Sequence, residues 1–255
     1  MTFGDATGNM ADMFRLEMDG PVARVVIDRG ERRNAIPIAS WSELERIVGE
    51  AVAAEPRLVV ITSADPASFC AGADLTELPQ LIDDVRRRHI FRGAMGSALA
   101  RIRAVGMPTI AIIEGGCFGA GVSLAMACDM RIAGPRATFA ITPARFGISY
   151  PQPDMMRLGE LVGPGQAARL VYGAETIDAA EAHRISLVEI VDETTPVGAR
   201  MTQRIADNAP YSLAALKATL VGRWGVDKRF DDAFSSADFA EGWDAFRSRR
   251  KPDFS

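Results

Sequence analysis

Cysteine and histidine are scarce: three cysteines (Cys70, Cys117, Cys128) and two histidines (His89, His183) in 255 residues. The cysteines form an odd set with no Cys-x-x-Cys pair, which argues against a disulfide framework or a metal cluster and fits a reducing cytoplasm. Basic charge is not in excess either. The 29 Lys and Arg stand against 33 Asp and Glu, and a net charge of −4 offers no broad positive field to a nucleic-acid backbone. A membrane span is also missing: the most apolar stretch, 108–128, is interrupted by Glu114 and crowded with Gly115, Gly116, Gly119 and Gly121, as a strand, glycine turn and helix would be. Residues 1–11 have neither the basic start nor the apolar centre of an export signal and read as a loose leader. Low-complexity tracts and fixed-period repeats are absent.

What is present is the mixture of a globular protein, 48% apolar, 24% charged and 7% aromatic. A chain this long buries roughly three quarters of the surface it exposes when unfolded, enough for a core without covalent staples. Short β-branched runs at 22–28, 57–63, 108–114, 130–134 and 186–192 read as buried strands. Between the first two, Trp41, Leu44, Ile47, Val48, Ala51 and Val52 recur at helical spacing. Asp74, with Glu77 three residues on, predicts a capped helix. Beyond about residue 194 the strand signals stop, and 197–208, 212–223 and 227–249 read as helices, so an α/β body (12–194) precedes a helical segment (195–255). Periodicity leaves open a doubly wound parallel sheet and a stacked ββα spiral.

Two glycine-bearing turns carry the chemistry. In FCAGADL (Phe69 to Leu75) the small residues Ala71, Gly72 and Ala73 leave backbone N–H groups uncovered. In EGGCFGAGVSLAMACD (Glu114 to Asp129) a strand runs through glycines into a helix that starts near Gly119 or Ala120, and its first N–H groups have no intrahelical partner. The order Gly116-x-x-Gly119-x-Gly121 is not the dinucleotide fingerprint, so a nicotinamide enzyme is a weak alternative. Together the turns suggest two backbone donors converging on one oxygen, an oxyanion hole.

With these turns, NAI (Asn34 to Ile36), GISYP, YGAETIDAAEA, SLVEIVD and the terminal EGWDAFRSRRKPDF, the sequence resembles the enoyl-CoA hydratase/isomerase, or crotonase, family from about residue 14 to its end. The resemblance implies an α/β fold of the ββα spiral type with a C-terminal helical segment, a trimer or pair of trimers, and an acyl-CoA thioester as substrate with no further cofactor. It puts the oxyanion donors on the N–H groups of Ala73 and Ala120. It also implies that Arg33, Ala71, Gly72, Asp74, Leu75, Gly119 and Pro143 surround the substrate, that Lys217 faces a phosphate and that Phe246 packs near the adenine. Arg32, Arg86 to Arg88, Arg247, Arg249, Arg250 and Lys251 are further candidates for the phosphates.

The chain departs from the family where hydratases carry two glutamates. Ser123 stands at the first position; the second falls on Pro143, or on Ala144 if the prolines are matched, and Pro151 stands where other members carry an aspartate. Ser123 could hold a water and Asp154 could act from beside the acyl pocket, although an Asp before a helical run commonly caps it. His89, among Arg86, Arg87, Arg88 and Arg92, is a further candidate base, while His183 and Cys117 read as packing residues. Three functions follow: a nominal hydratase or isomerase, a decarboxylase in which departing carbon dioxide leaves the enolate, and an acyl-CoA binding protein without chemistry.

Overall fold

The computed structural model describes residues 13–222 and 226–254; the leader expected over 1–11 and the last residue of the helix expected over 212–223 lie outside them. The chain opens with the antiparallel pair β1 (Phe14–Asp19) and β2 (Val22–Ile27). It continues through α1 (Ser40–Ala53) to β3 (Leu58–Ser63), β4 (Ser68–Cys70) and α2 (Val85–Ala104). Then follow β5 (Thr109–Ile113), β6 (Gly116–Phe118), α3 (Ala120–Ala127), β7 (Met130–Ala133), β8 (Thr138–Ala140) and α4 (Gln152–Gly173). The body ends with β9 (Thr176–Asp178), α5 (Ala179–Arg184) and β10 (Ile190–Val191). The elements that follow are helices: α6 (Ala199–Ala206), α7 (Pro210–Leu220), α8 (Val226–Phe234) and α9 (Ala237–Ser248).

Successive strands fall in different sheets, which decides between the two architectures. One sheet runs β1-β2-β3-β5-β7-β10 and is parallel from β2 onward; the other runs β4-β6-β8-β9. The units β3-β4-α2, β5-β6-α3 and β7-β8-α4 therefore each add one strand to each sheet and then a helix, which is a ββα spiral. The central strands of the six-stranded sheet, β2, β3, β5 and β7, are buried on both faces. Val59 and Ile61 of β3 point into the main core with Trp41, Leu44 and Val48 of α1, whereas Leu58 and Val60 alternate to the other side, where Val197 and Ala206 cover them.

Three local expectations are corrected. No α-helix follows Asp74: a turn and a single 3-10 turn (Leu78–Leu81) intervene, and the helix begins at Val85, where Asp84 accepts from Arg87 N–H at 2.9 Å. The strand expected over 186–192 shrinks to two residues, because the N–H groups of Leu187 and Val188 both donate to Ala182 O and close α5. The helix expected over 227–249 breaks at Ser236, which caps α9 by accepting from Phe239 N–H at 3.1 Å.

Candidate active site

The turn after β4 is held by main-chain pairing to the segment after β2. Ala71 N–H donates to Arg33 O (3.0 Å), Ile36 N–H to Gly72 O (2.7 Å) and Asp74 N–H to Ile36 O (2.9 Å). Successive amides of an extended chain point to opposite sides, so the N–H of Ala73 faces away from this pairing. Buried Asn34 anchors the partner segment. Its Oδ1 accepts from Arg29 N–H at 2.7 Å and its Nδ2 donates to Ser63 Oγ and Ser68 O, both at 2.7 Å. Asp74 locks the far side of the turn: it accepts from Thr76 N–H and Oγ1 and from Arg29 Nη1 (2.8 Å). Burial alone would raise its carboxyl, but the hydrogen bonds from Thr76 and Arg29 outweigh this and hold it below its ordinary value.

The second donor stands at the start of α3. Gly119, at φ 57° and ψ −122°, turns the chain from β6 into the helix, and its N–H is fixed on Ala140 O at 2.9 Å. That φ is one only glycine adopts freely. Ala120 then presents the first free N–H of the helix. Among the described residues, neither Ala73 N–H nor Ala120 N–H donates to the chain itself. The two turns pack backbone to backbone: a Cβ added to Gly72, whose φ is 97°, would lie 3.0 Å from Ala120 N and 2.8 Å from Phe118 O. Gly121 lets α3 back onto β4, since a Cβ there would lie 2.4 Å from Cys70 O.

Ala73 and Ala120 both line a cleft of about 940 Å³. Of the residues expected around a substrate, Arg33, Ala71, Gly72, Leu75, Gly119 and Pro143 line it with Ala73 and Ala120. Pro143, and not Ala144, is the one of the two alternative glutamate positions that faces the cleft. Arg33, Arg92 and Arg145 also line it, and none of them forms an ion pair among the described residues. No lining residue among those described is an aspartate, glutamate or histidine.

The remaining candidates lie elsewhere. Asp74 sits behind the first turn, and Ser123 and Asp154 stand behind the cleft wall, 1% and 3% exposed. Asp154 pairs with Arg103 at 2.9 Å. Burial raises its carboxyl against the opposing pull of Arg103, and among the described residues Asp154 Oδ2 and Ser123 Oγ each lack a partner at hydrogen-bond distance. Lys217 is not free for a phosphate in this chain: it is 5% exposed, 2.6 Å from Asp129 Oδ2, and donates to Met107 O. Phe246 lies outside the cleft, stacked on Trp243. His89 is exposed on α2, and His183 Nδ1 lies 3.1 Å from Val188 O. The Arg250 and Lys251 side chains are tied to Glu241 and Asp207. Cys117 and Cys70 are buried, which pushes both thiols up, Cys70 to about 12. Among the lining residues that the sequence reading missed are Arg145 and Tyr150.

A profile of the enoyl-CoA hydratase/isomerase family matches residues 17–255. The chain is similar to a short-chain-enoyl-CoA hydratase of Clostridium acetobutylicum, 31% identical over 92% of this chain and 95% of the relative. It is also similar to a crotonyl-CoA hydratase of Syntrophomonas wolfei, 33% identical over 94% and 96%. Among solved structures, a family protein from Hyphomonas neptunium superposes with a TM-score of 0.89 at 33% identity, over 95% of this chain and 97% of that one. An enoyl-CoA hydratase from Bacillus anthracis gives 0.87 at 26%, over 95% and 98%. With the spiral of paired strands and a cleft lined by both glycine-bearing turns, these matches establish that the chain belongs to the enoyl-CoA hydratase/isomerase family.

Proposed function

We propose that the cleft binds an acyl-CoA thioester with its carbonyl oxygen on the Ala73 and Ala120 amides, and that the chain catalyses a reaction in which the substrate itself releases the electron pair forming the enolate. One observation carries this reading: among the described residues, two donors without a partner in the chain stand at a cleft whose lining holds no carboxylate. Removal of one such donor typically costs about 3 to 4 kcal/mol of transition-state stabilisation. Hydration also needs a base for water and an acid for Cα, and each contributes about 10² to 10⁴ in rate. Loss of carbon dioxide from an α-carboxyacyl-CoA needs no base, because the breaking C–C bond supplies the pair. Arg33, Arg92 and Arg145 are the groups suited to the phosphates of the coenzyme, and no other cofactor is required.

The test is a comparison of carbon dioxide release from malonyl-CoA with hydration of crotonyl-CoA, beside binding of butyryl-CoA. Butyryl-CoA binding with malonyl-CoA turnover exceeding hydration is expected. Fast crotonyl-CoA hydration would sink the proposal, and binding without turnover of either would favour the non-catalytic carrier.

The proposal extends to assembly. Phe230, Phe234, Phe239 and Trp243 of α8 and α9 are between 46% and 68% exposed and form one apolar face, which suits packing of the tail against other copies in a trimer or pair of trimers. Light scattering that reads a monomer at micromolar concentration would refute it.

A further inference from the structure

Tyr150 is the one weakly acidic side chain among the described residues that line the cleft. It follows the 3-10 turn Pro143–Phe146 and precedes α4, so it comes to the cleft from a segment separate from the two glycine turns. The space beside Gly119 is bounded by three groups: a Cβ placed there would lie 3.0 Å from Tyr150 Oη, 3.9 Å from Gly72 Cα and 4.0 Å from Ala71 O. The phenol therefore stands over the residue that delivers the Ala120 amide, against the turn that delivers Ala73. Its hydroxyl has no hydrogen-bond partner among the described residues and is not sealed from the cleft. A partly buried tyrosine whose hydroxyl has no partner in the chain and opens onto a ligand cleft is placed for a ligand atom.

We propose that Tyr150 is the proton donor to Cα of the thioester enolate. The assignment rests on the acyl-CoA reading above. As the C–C bond to the departing carboxylate breaks, its electron pair enters the enolate held by Ala73 and Ala120. The enolate then collapses: the Tyr150 O–H bond breaks, the Cα–H bond forms, and solvent water reprotonates the phenolate. Burial, and after it the Asp154 carboxyl and the Cys70 and Cys117 thiols, raises the phenol above its ordinary value, so it stays protonated at physiological pH. An enolate carbon is a stronger base than a phenolate, so the transfer runs downhill.

Tyr150→Phe keeps the ring and removes a hydroxyl that bonds nothing in the chain, so the variant should fold and bind butyryl-CoA as the parent does. Carbon dioxide release from malonyl-CoA should fall by about 10² to 10⁴. Acetoacetyl-CoA supplies a readout without turnover, because its enolate absorbs in the near ultraviolet. The parent should hold it as enolate, and the variant about tenfold less, the worth of a hydrogen bond to a charged group. Equal enolate absorbance in parent and variant would overturn the Tyr150 assignment and leave the acyl-CoA reading standing. Failure of the parent to bind either butyryl-CoA or acetoacetyl-CoA would overturn both.

Discussion

Gly72→Ala tests whether the two donor turns depend on each other. The wild-type φ of 97° lies where a side chain is strained, at a cost of about 1 to 3 kcal/mol. The new methyl would also sit 2.8 Å from Phe118 O and 3.0 Å from Ala120 N, both backbone atoms that cannot swing aside. Relief requires the turns to separate by about half an ångström, as large as the whole range over which oxyanion donors act, about 2.7 to 3.1 Å. A combined loss of about 3 kcal/mol would lower the melting temperature by about 6 to 12 °C. Losing one donor's geometry would cut turnover by about 10² to 10³. Melting by circular dichroism and carbon dioxide release from malonyl-CoA read the two effects. Gly159→Ala is the matched control, since a methyl there meets open space on α4, and it should stabilise slightly. If Gly72→Ala melted and turned over like the parent, the close apposition of the turns would be wrong.

Further expectations concern single side chains. Pro143→Glu puts a carboxylate on the cleft wall and should raise crotonyl-CoA hydration, whereas Ser123→Glu buries a second carboxyl beside Asp154 and should lower stability without a gain; equal gains from both in the same assay would overturn this placement. Lys217→Met leaves the Asp129 carboxylate on its two hydrogen bonds from Thr109 and should cost about 1 to 3 kcal/mol in urea unfolding. Its butyryl-CoA affinity should be unchanged, and weakened affinity with intact stability would return Lys217 to the phosphate role its sequence position suggested. Asp192 accepts from Thr194 N–H and Oγ1 and from Gly198 N–H, and the Thr194 hydroxyl leads in lowering its carboxyl to about 2 despite burial. A depressed acid stabilises the fold above its unfolded value and loses that contribution as pH falls through the folded one. Stability should therefore drop by about 2 kcal/mol between pH 4 and pH 2, and Asp192→Asn should flatten that part of the urea-unfolding profile.

The strands legible in the sequence are those buried on both faces, such as β3 and β5, whose β-branched runs leave no other reading. The second sheet was not legible: β4, β6, β8 and β9 have three residues each, too short to show a period. Asp74 and Glu77 have the spacing of a helix cap, but Arg29, 45 residues away, takes the Asp74 carboxylate, and Ile38 N–H takes Glu77. At the site, small residues and glycines marked the two turns, because close backbone approach restricts what can stand there. Tyr150 and Arg145 carried no such mark. They reach the cleft only because the 3-10 turn and α4 fold across its mouth, a long-range placement that local pattern does not encode.

The chemistry of the cleft floor is written in peptide groups rather than side chains, and a peptide group survives nearly every codon change. A side-chain substitution at the rim therefore leaves the two amides and their spacing as they are. On the reading proposed above, a change of reaction needs only a new neighbour at the rim.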